Sequence, residues 1–378
     1  MLVQFRDGSN IQEADLPLNP MQLEDLLDRL DRHKRVRIVI PGGEVQELPL
    51  PEMLCDREME ADVYELNLLA ERMYDMESDE FAAFGSLFYY DVLHSVREML
   101  DATEALGTVS VWEAEDNGVL DLVMHEHLLP ELEGCSPAVY RLLDAGLVAD
   151  RLEEVCGLVQ FDDYYCDISH FKMPEHPVEV PPQMEGFFRV WVRPTGGGHR
   201  CTATPANPMV LPCDDDALIG MGCSHLESRI PKLSECVRRP DFSLSKLNAL
   251  AKQLDQLGHD DFIKLKAVAS AEGAGCIVAV CAIMERLPHY EFDHAVHETE
   301  QYAAKYLTAN WDMEQEVEAM PDEVLDKLGQ HLLEQKHGTV TPYGIISCLD
   351  GSLYTRADLQ AQEETQACAQ AEEGVISL

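Results

Sequence analysis

The chain has 378 residues, 46% of them apolar, and carries 70 acidic against 28 basic side chains, a formal charge of −42. Such a field repels nucleic acid and anionic membrane surfaces, which excludes both as direct partners, and it favours proteins built to hold polyanions. The apolar fraction is ample for packed cores, so the acidity does not imply disorder, and the length implies two or more domains.

In chain order, Met1 to Asp7 run straight into polar residues with no leader-like pattern, and Leu2 to Phe5 read as a short strand. Asn19 and Pro20 are an N-cap and N1 pair, and Leu23, Leu26, Leu27 and Leu30 follow at helical spacing in an acidic segment. A basic patch, Arg32, Lys34, Arg35 and Arg37, leads into β-like Ile38, Val39 and Ile40 and a Gly42-Gly43 turn. Leu66, Leu69, Ala70, Met73 and Met76 form one helical stripe, and a second helix is expected to start, with a cap, near Asp79. Residues 108–112 read as a strand, and residues 136–147 as a helix with Ser136 as N-cap and Pro137 at N1. A turn centred on Gly157 leads into Leu158, Val159, Gln160 and Phe161.

Pro174, Pro177, Pro181 and Pro182 then block helix and interior strand alike. Residues 187–192 open a second strand, glycine-rich residues 195–199 read as a hairpin, and Asp214 to Asp216 as a helix start. Leu247, Leu250, Ala251, Leu254 and Leu257 repeat the helical stripe, with a second helix start near Asp260. The longest apolar run, residues 275–284, is about half of a membrane span. Residues 360–373 are rich in Gln, Ala and Glu and read as a frayed tail or an exposed helix.

Residues 66–81 align without a gap on residues 247–262, and the same 181-residue offset carries Leu152, Glu153, Gly157 and Val159 onto Leu333, Glu334, Gly338 and Val340. Solenoid repeats are far shorter, so the pattern predicts a duplicated domain. The expected fold class is α+β, elongated. It comprises two tandem copies of a three-part unit: a small β-sheet/helix subdomain, a central helical subdomain and a C-terminal mixed α/β subdomain. The expected boundaries are 1–173 for the first unit, 174–184 for a Pro-rich linker, 185–358 for the second unit and 359–378 for a polar tail.

The charge is uneven, since residues 51–181 hold 31 acids and 6 bases. Glu71 and Asp75 oppose the first apolar stripe, and further acids cluster at Glu77, Asp79, Glu80, Glu113, Glu115, Asp116, Asp121, Glu126, Glu131, Glu133, Glu153, Glu154, Asp162 and Asp163. In the second half Asp260, Asp261, Asp312 and Glu314 recur as acids at the offset. One DNA strand carries a charge every ~3.4 Å of axis, so rows of helical carboxylates approximate a duplex face, and forty-odd charges match ~70 Å of duplex. A solvated acidic face is the alternative reading. These twenty acids are the candidate partner-binding surface.

Other chemistry is thinly supported. Twelve cysteines without a CxxC pair read as free buried thiols of a reducing, cytoplasmic setting. His125 and His127, and His294 and His297, lack HExxH order and read as exposed loop histidines; the 195–200 segment lacks the lysine of a phosphate loop. Trp112, Trp191 and Trp311 read as core or hinge residues. No catalytic constellation, metal site or cofactor is expected.

Glu65, Leu66, Asn67, Leu69 and Ala70, followed by the acidic turn and second helix, resemble the central helical motif of the ArdA antirestriction proteins. Leu247, Asn248, Leu250 and Ala251 repeat it, and residues 329–334 with 338–344 are similar to the family's C-terminal end. The resemblance implies a non-catalytic protein of mobile elements whose acidic surface imitates bent DNA. Such a protein occupies the DNA groove of type I restriction-modification enzymes. It also implies single units that pair into dimers, so two units in one chain would form a pseudo-dimer, with further homodimer formation open. The duplication, the weaker charge of the second half and the basic patch depart from that pattern. A CRISPR effector is an alternative target for the same mimicry, an acidic adaptor of a mobile element is an alternative role, and a metal enzyme using His294 and His297 is a third.

Overall fold

The computed structural model describes residues 1–42, 55–90, 92–113, 118–140, 142–194, 207–311 and 313–349. The chain opens with β1 (Leu2–Asp7), β2 (Asn10–Asp15), α1 (Pro20–Arg29), β3 (Arg35–Val39) and β4 (Glu58–Asp62). These strands form a sheet in the order β2-β1-β3-β4, with β1 and β3 antiparallel through Gln4↔Val39 to Arg6↔Arg37. The cap expected of Asn19 is present: its side chain accepts from the Gln22 N–H at 3.0 Å while Gln22 accepts from the Asn19 N–H at 3.1 Å.

The chain divides into two compact units. One comprises the described residues of Met1–Asp7, Glu13–Leu18 and His33–Pro182; the other comprises Gly8–Gln12, Asn19–Arg32 and the described residues from Gln183 onward. Helix α1 therefore packs with the second unit although it precedes most of the first in sequence.

The first unit continues with α2 (Val63–Asp75), α3 (Ser78–Tyr89), α4 (Val96–Ala102), β5 (Ser110–Glu113), α5 (Gly118–Glu126), α6 (Pro137–Tyr140), α7 (Ala145–Cys156), β6 (Leu158–Phe161) and β7 (Tyr164–Asp167). Helix α2 buries Leu66, Leu69, Ala70 and Met73, as the spacing requires, and Asp62 caps it by accepting from the Tyr64 N–H at 2.9 Å. Strands β5, β7 and β6 make a small sheet in that order, beside a core of Val119, Leu122, Val123, Val148, Leu152 and Leu158.

The helix expected to start, with a cap, near Asp79 does so at Ser78: Glu77 is the N-cap, and Glu80 reaches back to the Glu77 N–H at 3.2 Å. One expectation needs correction in this unit. The single helix expected over residues 136–147 is instead the one-turn α6 followed by a longer helix. Asp144 accepts from the Gly146 and Leu147 N–H groups and starts α7, which Gly157 ends at φ +65°.

The second unit holds α1 and then β8 (Phe188–Pro194), β9 (Asn207–Leu211), β10 (Met221–Ser228), α8 (Leu244–Leu254), α9 (His259–Glu272), α10 (Ile277–Arg286), β11 (Tyr290–Asp293), α11 (Thr299–Trp311), α12 (Glu314–Glu318), α13 (Asp322–Gln335), β12 (Thr339–Thr341) and β13 (Gly344–Cys348). Its sheets run β10-β8-β9 and β11-β13-β12. Helices α11 and α13 cross so closely that a Cβ on Gly329 would lie 1.9 Å from the Thr299 carbonyl oxygen, which only glycine permits.

The elements recur at the offset seen in the sequence. Helices α8, α9, α10 and α11 and strand β12 each begin 181 residues after α2, α3, α4, α5 and β6. The two C-terminal sheets share one strand order, and a side-chain bridge recurs with them. In the first unit Asn67 accepts from the Leu18 N–H at 2.7 Å and donates to the Leu18 carbonyl at 3.1 Å; in the second, Asn248 does the same to Cys213 at 2.9 Å in both directions. A buried amide that satisfies a neighbouring backbone unit leaves two polar groups orphaned when removed.

Tryptophan placement is mixed. Trp112 packs on the first unit's core and Trp191 lies under Arg189 at 4.8 Å, but Trp311 is 68% exposed, contrary to a core role, because it ends α11 on the solvent side. The described cysteines are free thiols, and Cys135 among them is exposed rather than buried. No described helix is long and apolar enough to cross a membrane. Residues 195–199 and 360–373, with Gly43, lie outside the described residues. The buried bridges predict that Asn248→Ala and Asn67→Ala each destabilise their unit by about 2–3 kcal/mol, read as a lowered midpoint in urea unfolding.

Candidate acidic interaction surface

Seventeen of the twenty candidate acids lie among the described residues, and every one of them is exposed to solvent. Glu115, Asp116 and Asp312 fall outside the described residues. Helix geometry explains the first pair: Glu71 and Asp75, four residues apart, stand on the face of α2 opposite its buried stripe. Glu77, Asp79 and Glu80 gather at the N-terminus of α3, where unsatisfied N–H groups and the helix dipole favour carboxylates.

Asp121 and Glu126 lie on α5, Glu131 and Glu133 beside the 3-10 turn Pro130–Leu132, and Glu153 and Glu154 on α7. Asp162 and Asp163 form the turn between β6 and β7, with Asp162 at φ +51°. In the second unit Asp260 and Asp261 occupy the first turn of α9 and Glu314 that of α12.

The folded chain brings three of these acids to one place. Glu77, Asp79 and Glu113 line a groove of about 630 Å³ with Met76, Ser78, Val111 and Tyr164, and no cation lines it among the described residues. The second unit has a groove of about 660 Å³ in which Asp260, Phe292 and Ile345 stand 181 residues after Asp79, Val111 and Tyr164. That groove is mixed in sign: Asp261, Glu291 and Asp293 face Lys264, Lys305 and Lys336, and Lys305 is paired with Asp293. The first unit has Ala83, Met124 and Val155 at the positions of the three lysines.

Of the seventeen exposed acids, only Glu131 and Glu154 make an ion pair among the described residues, both with Arg151, at 3.0 and 3.3 Å. A hydrogen bond to its own backbone and then the Arg151 guanidinium hold the Glu131 carboxyl below its usual range. Among the described residues the other fifteen have no cation within 4 Å.

Four cations converge on one helix, which sequence reasoning missed. On α1, seven of ten residues are buried, among them Glu24, Asp25 and Asp28, and these three acids carry a network of bases within the second unit. Asp28 accepts from Arg229 at 2.9 Å, Lys266 at 2.8 Å and Arg32 at 2.9 Å. Asp25 takes Lys266, Arg29 and, at 2.6 Å, the Tyr343 hydroxyl. Glu24 takes Arg32 at 2.6 Å and Gln183 at 3.2 Å.

The Lys266 ammonium is fully buried between the Phe262 and Tyr343 rings, 5.6 and 4.8 Å from their centroids. Burial pushes the Asp25 and Asp28 carboxyls up. Lys266, with Arg29 for Asp25 and Arg229 and Arg32 for Asp28, outweighs it and leaves both below the ordinary 3.8. Burial, and then Asp25, raises the Tyr343 phenol well above 10. Of the basic patch, Arg32 thus belongs to the buried network and Lys34 sits over the Tyr64 ring.

The histidine pairs separate. His125 and His127 are exposed as expected, but His125 lies on α5 and not in a loop. His294 is not: its Nδ1 lies 2.6 Å from the Tyr343 carbonyl oxygen, its Nε2 is 3.4 Å from Asp31, and its ring packs 5.9 Å from His297. Among the described residues no three His, Cys, Asp or Glu side chains are placed to hold a metal ion. Comparison with family models, with curated proteins and with solved structures gives no match.

The network predicts two outcomes. Asp28→Asn leaves Lys266, Arg229 and Arg32 short of their shared carboxylate and destabilises the second unit by about 3–5 kcal/mol, measured by chemical unfolding. Because the folded-state values of Asp25 and Asp28 are depressed, their contribution is present above the unfolded value and lost as pH falls through and below 3.8. The unfolding midpoint therefore drops across that window, and drops less in Asp28→Asn.

Proposed function

We propose that the chain is a non-catalytic inhibitor that competes with DNA for the basic groove of a host defence enzyme, a type I restriction-modification enzyme foremost. One observation carries this reading: among the described residues fifteen of the candidate carboxylates stand exposed with no cation within 4 Å, while Arg29, Arg32, Arg229 and Lys266 are held by the buried acids of α1. An enzyme groove lined with Lys and Arg to neutralise phosphates neutralises these carboxylates by the same charge chemistry. The resemblance of residues 65–81 and 246–251 to the ArdA motif supports the choice of target.

The grooves support an unequal division of the work. Among the described residues the first unit offers Glu77, Asp79 and Glu113 without a base, whereas the second meets its own acids with three lysines. The first unit is accordingly the stronger polyanion.

The test is inhibition of DNA cleavage by a purified type I enzyme. Single changes such as Glu71→Gln alter the inhibition constant less than about threefold, since exposed charges act collectively. Neutralising Glu71, Asp75, Glu77, Asp79 and Glu80 together raises it by about tenfold or more, and raising salt from 0.1 to 0.5 M weakens wild-type inhibition. Full inhibition by the quintuple variant at every salt concentration contradicts the reading.

A further inference from the structure

The groove of the second unit draws its lysines from three separate helices. Lys264 stands on α9, Lys305 on α11, and Lys336 is the C-cap of α13. Lys305 is spent on a groove acid, Asp293. Among the described residues the Lys264 and Lys336 ammonium groups have no carboxylate within 4 Å, and Lys336 lies 6.0 Å from the centre of the half-buried Tyr302 ring.

A shortage of acids does not explain those two ammonium groups. Asp260, Asp261 and Glu291 line the same groove, and Asp260 and Asp261 precede Lys264 by four and three residues on α9, a spacing that suits a pair. No such pair forms among the described residues. The first unit has no base at any of the three lysine positions and has Asp121 at that of Tyr302. The two grooves thus differ in one concerted way: the second presents positive charge that its own acids do not consume.

We infer that this groove receives a carboxylate of the bound protein between Lys264 and Lys336, while exposed Asp261 and Glu291 take that protein's bases. The chemistry of DNA-handling grooves selects this occupant. Such grooves are not lined with bases alone, because they read cytosine amino groups with Asp or Glu and hold catalytic cations on carboxylates. A surface that copied phosphates and nothing else would set carboxylate against carboxylate at those points, and like charges face to face oppose docking. Ammonium groups set among carboxylates complement a basic groove that has acids in it. The inference rests on the proposed function and deepens it: the first unit supplies bulk negative charge, and the groove of the second fixes register on the partner.

The test measures binding to a purified type I enzyme at 0.1 M NaCl, with melting temperature read alongside. It compares wild type, Lys264→Gln/Lys336→Gln and Lys264→Arg/Lys336→Arg. Removing two cations makes the chain more anionic, so mimicry by net charge alone expects the glutamine variant to bind as tightly as wild type or more tightly. The inference expects it to bind about tenfold more weakly, and the arginine variant, which keeps both charges, to bind more tightly than the glutamine variant. Neither ammonium holds a described carboxylate, so the glutamine variant keeps the wild-type melting temperature. If it melts lower, Lys264→Gln and Lys336→Gln are read singly by the same criterion. Wild-type or tighter binding by the glutamine variant overturns the inference and leaves the proposed function standing. An arginine variant as weak as the glutamine variant also overturns it, since positive charge is then not what the site supplies. Absence of wild-type binding overturns both.

Discussion

Scarcity of cations governs this molecule. With 28 bases for 70 acids, carboxylates far outnumber the cations that can pair with them, and where the bases are placed decides which acids they serve. The structure gives four of them, Arg29, Arg32, Arg229 and Lys266, to Glu24, Asp25 and Asp28 on one buried helix. Burying an ion pair is at best energetically neutral against apolar packing, whereas breaking one is costly. The network therefore fixes where α1 sits more than it adds to net stability, and it withdraws cations from the surface.

Recurrence at 181 residues makes the divergence legible. The Asn67 and Asn248 bridges, the shared helix starts and the common strand order of the C-terminal sheets keep the two units alike. The electrostatics differ at single positions. Lys266 anchors the buried network, while the equivalent Gly85 lets the Phe161 ring lie where a Cβ would be 2.2 Å away. Lys264, Lys305 and Lys336 temper one groove, and Ala83, Met124 and Val155 leave the other anionic.

Much of this was legible in sequence because it is periodic or local. The stripes of α2 and α8, the Asn19 cap, the Gly157 stop and the exposure of Glu71 and Asp75 opposite the α2 stripe follow from helical spacing and capping chemistry. What escaped depends on partners far apart in the chain. Glu24, Asp25 and Asp28 look like any solvated acidic face, and only folding shows Arg229 and Lys266, more than two hundred residues away, converging on Asp28. The second helix start was missed because Ser136 and Pro137 do begin a helix, the one-turn α6, and Asp144 then caps a new one within the same apolar run. Trp311 shows the same limit: an aromatic residue carries no local signal of which side of a helix end it will face.

The central claim is that exposed, unopposed carboxylates stand in for phosphates. A displacement titration tests it most directly: a fluorescent duplex bearing the recognition site is bound to the type I enzyme, and the protein is added at several DNA concentrations. Stoichiometric release of the duplex, with an apparent inhibition constant that rises in proportion to DNA concentration, is the predicted result. Inhibition of cleavage while the duplex stays bound, or an inhibition constant indifferent to DNA, contradicts it.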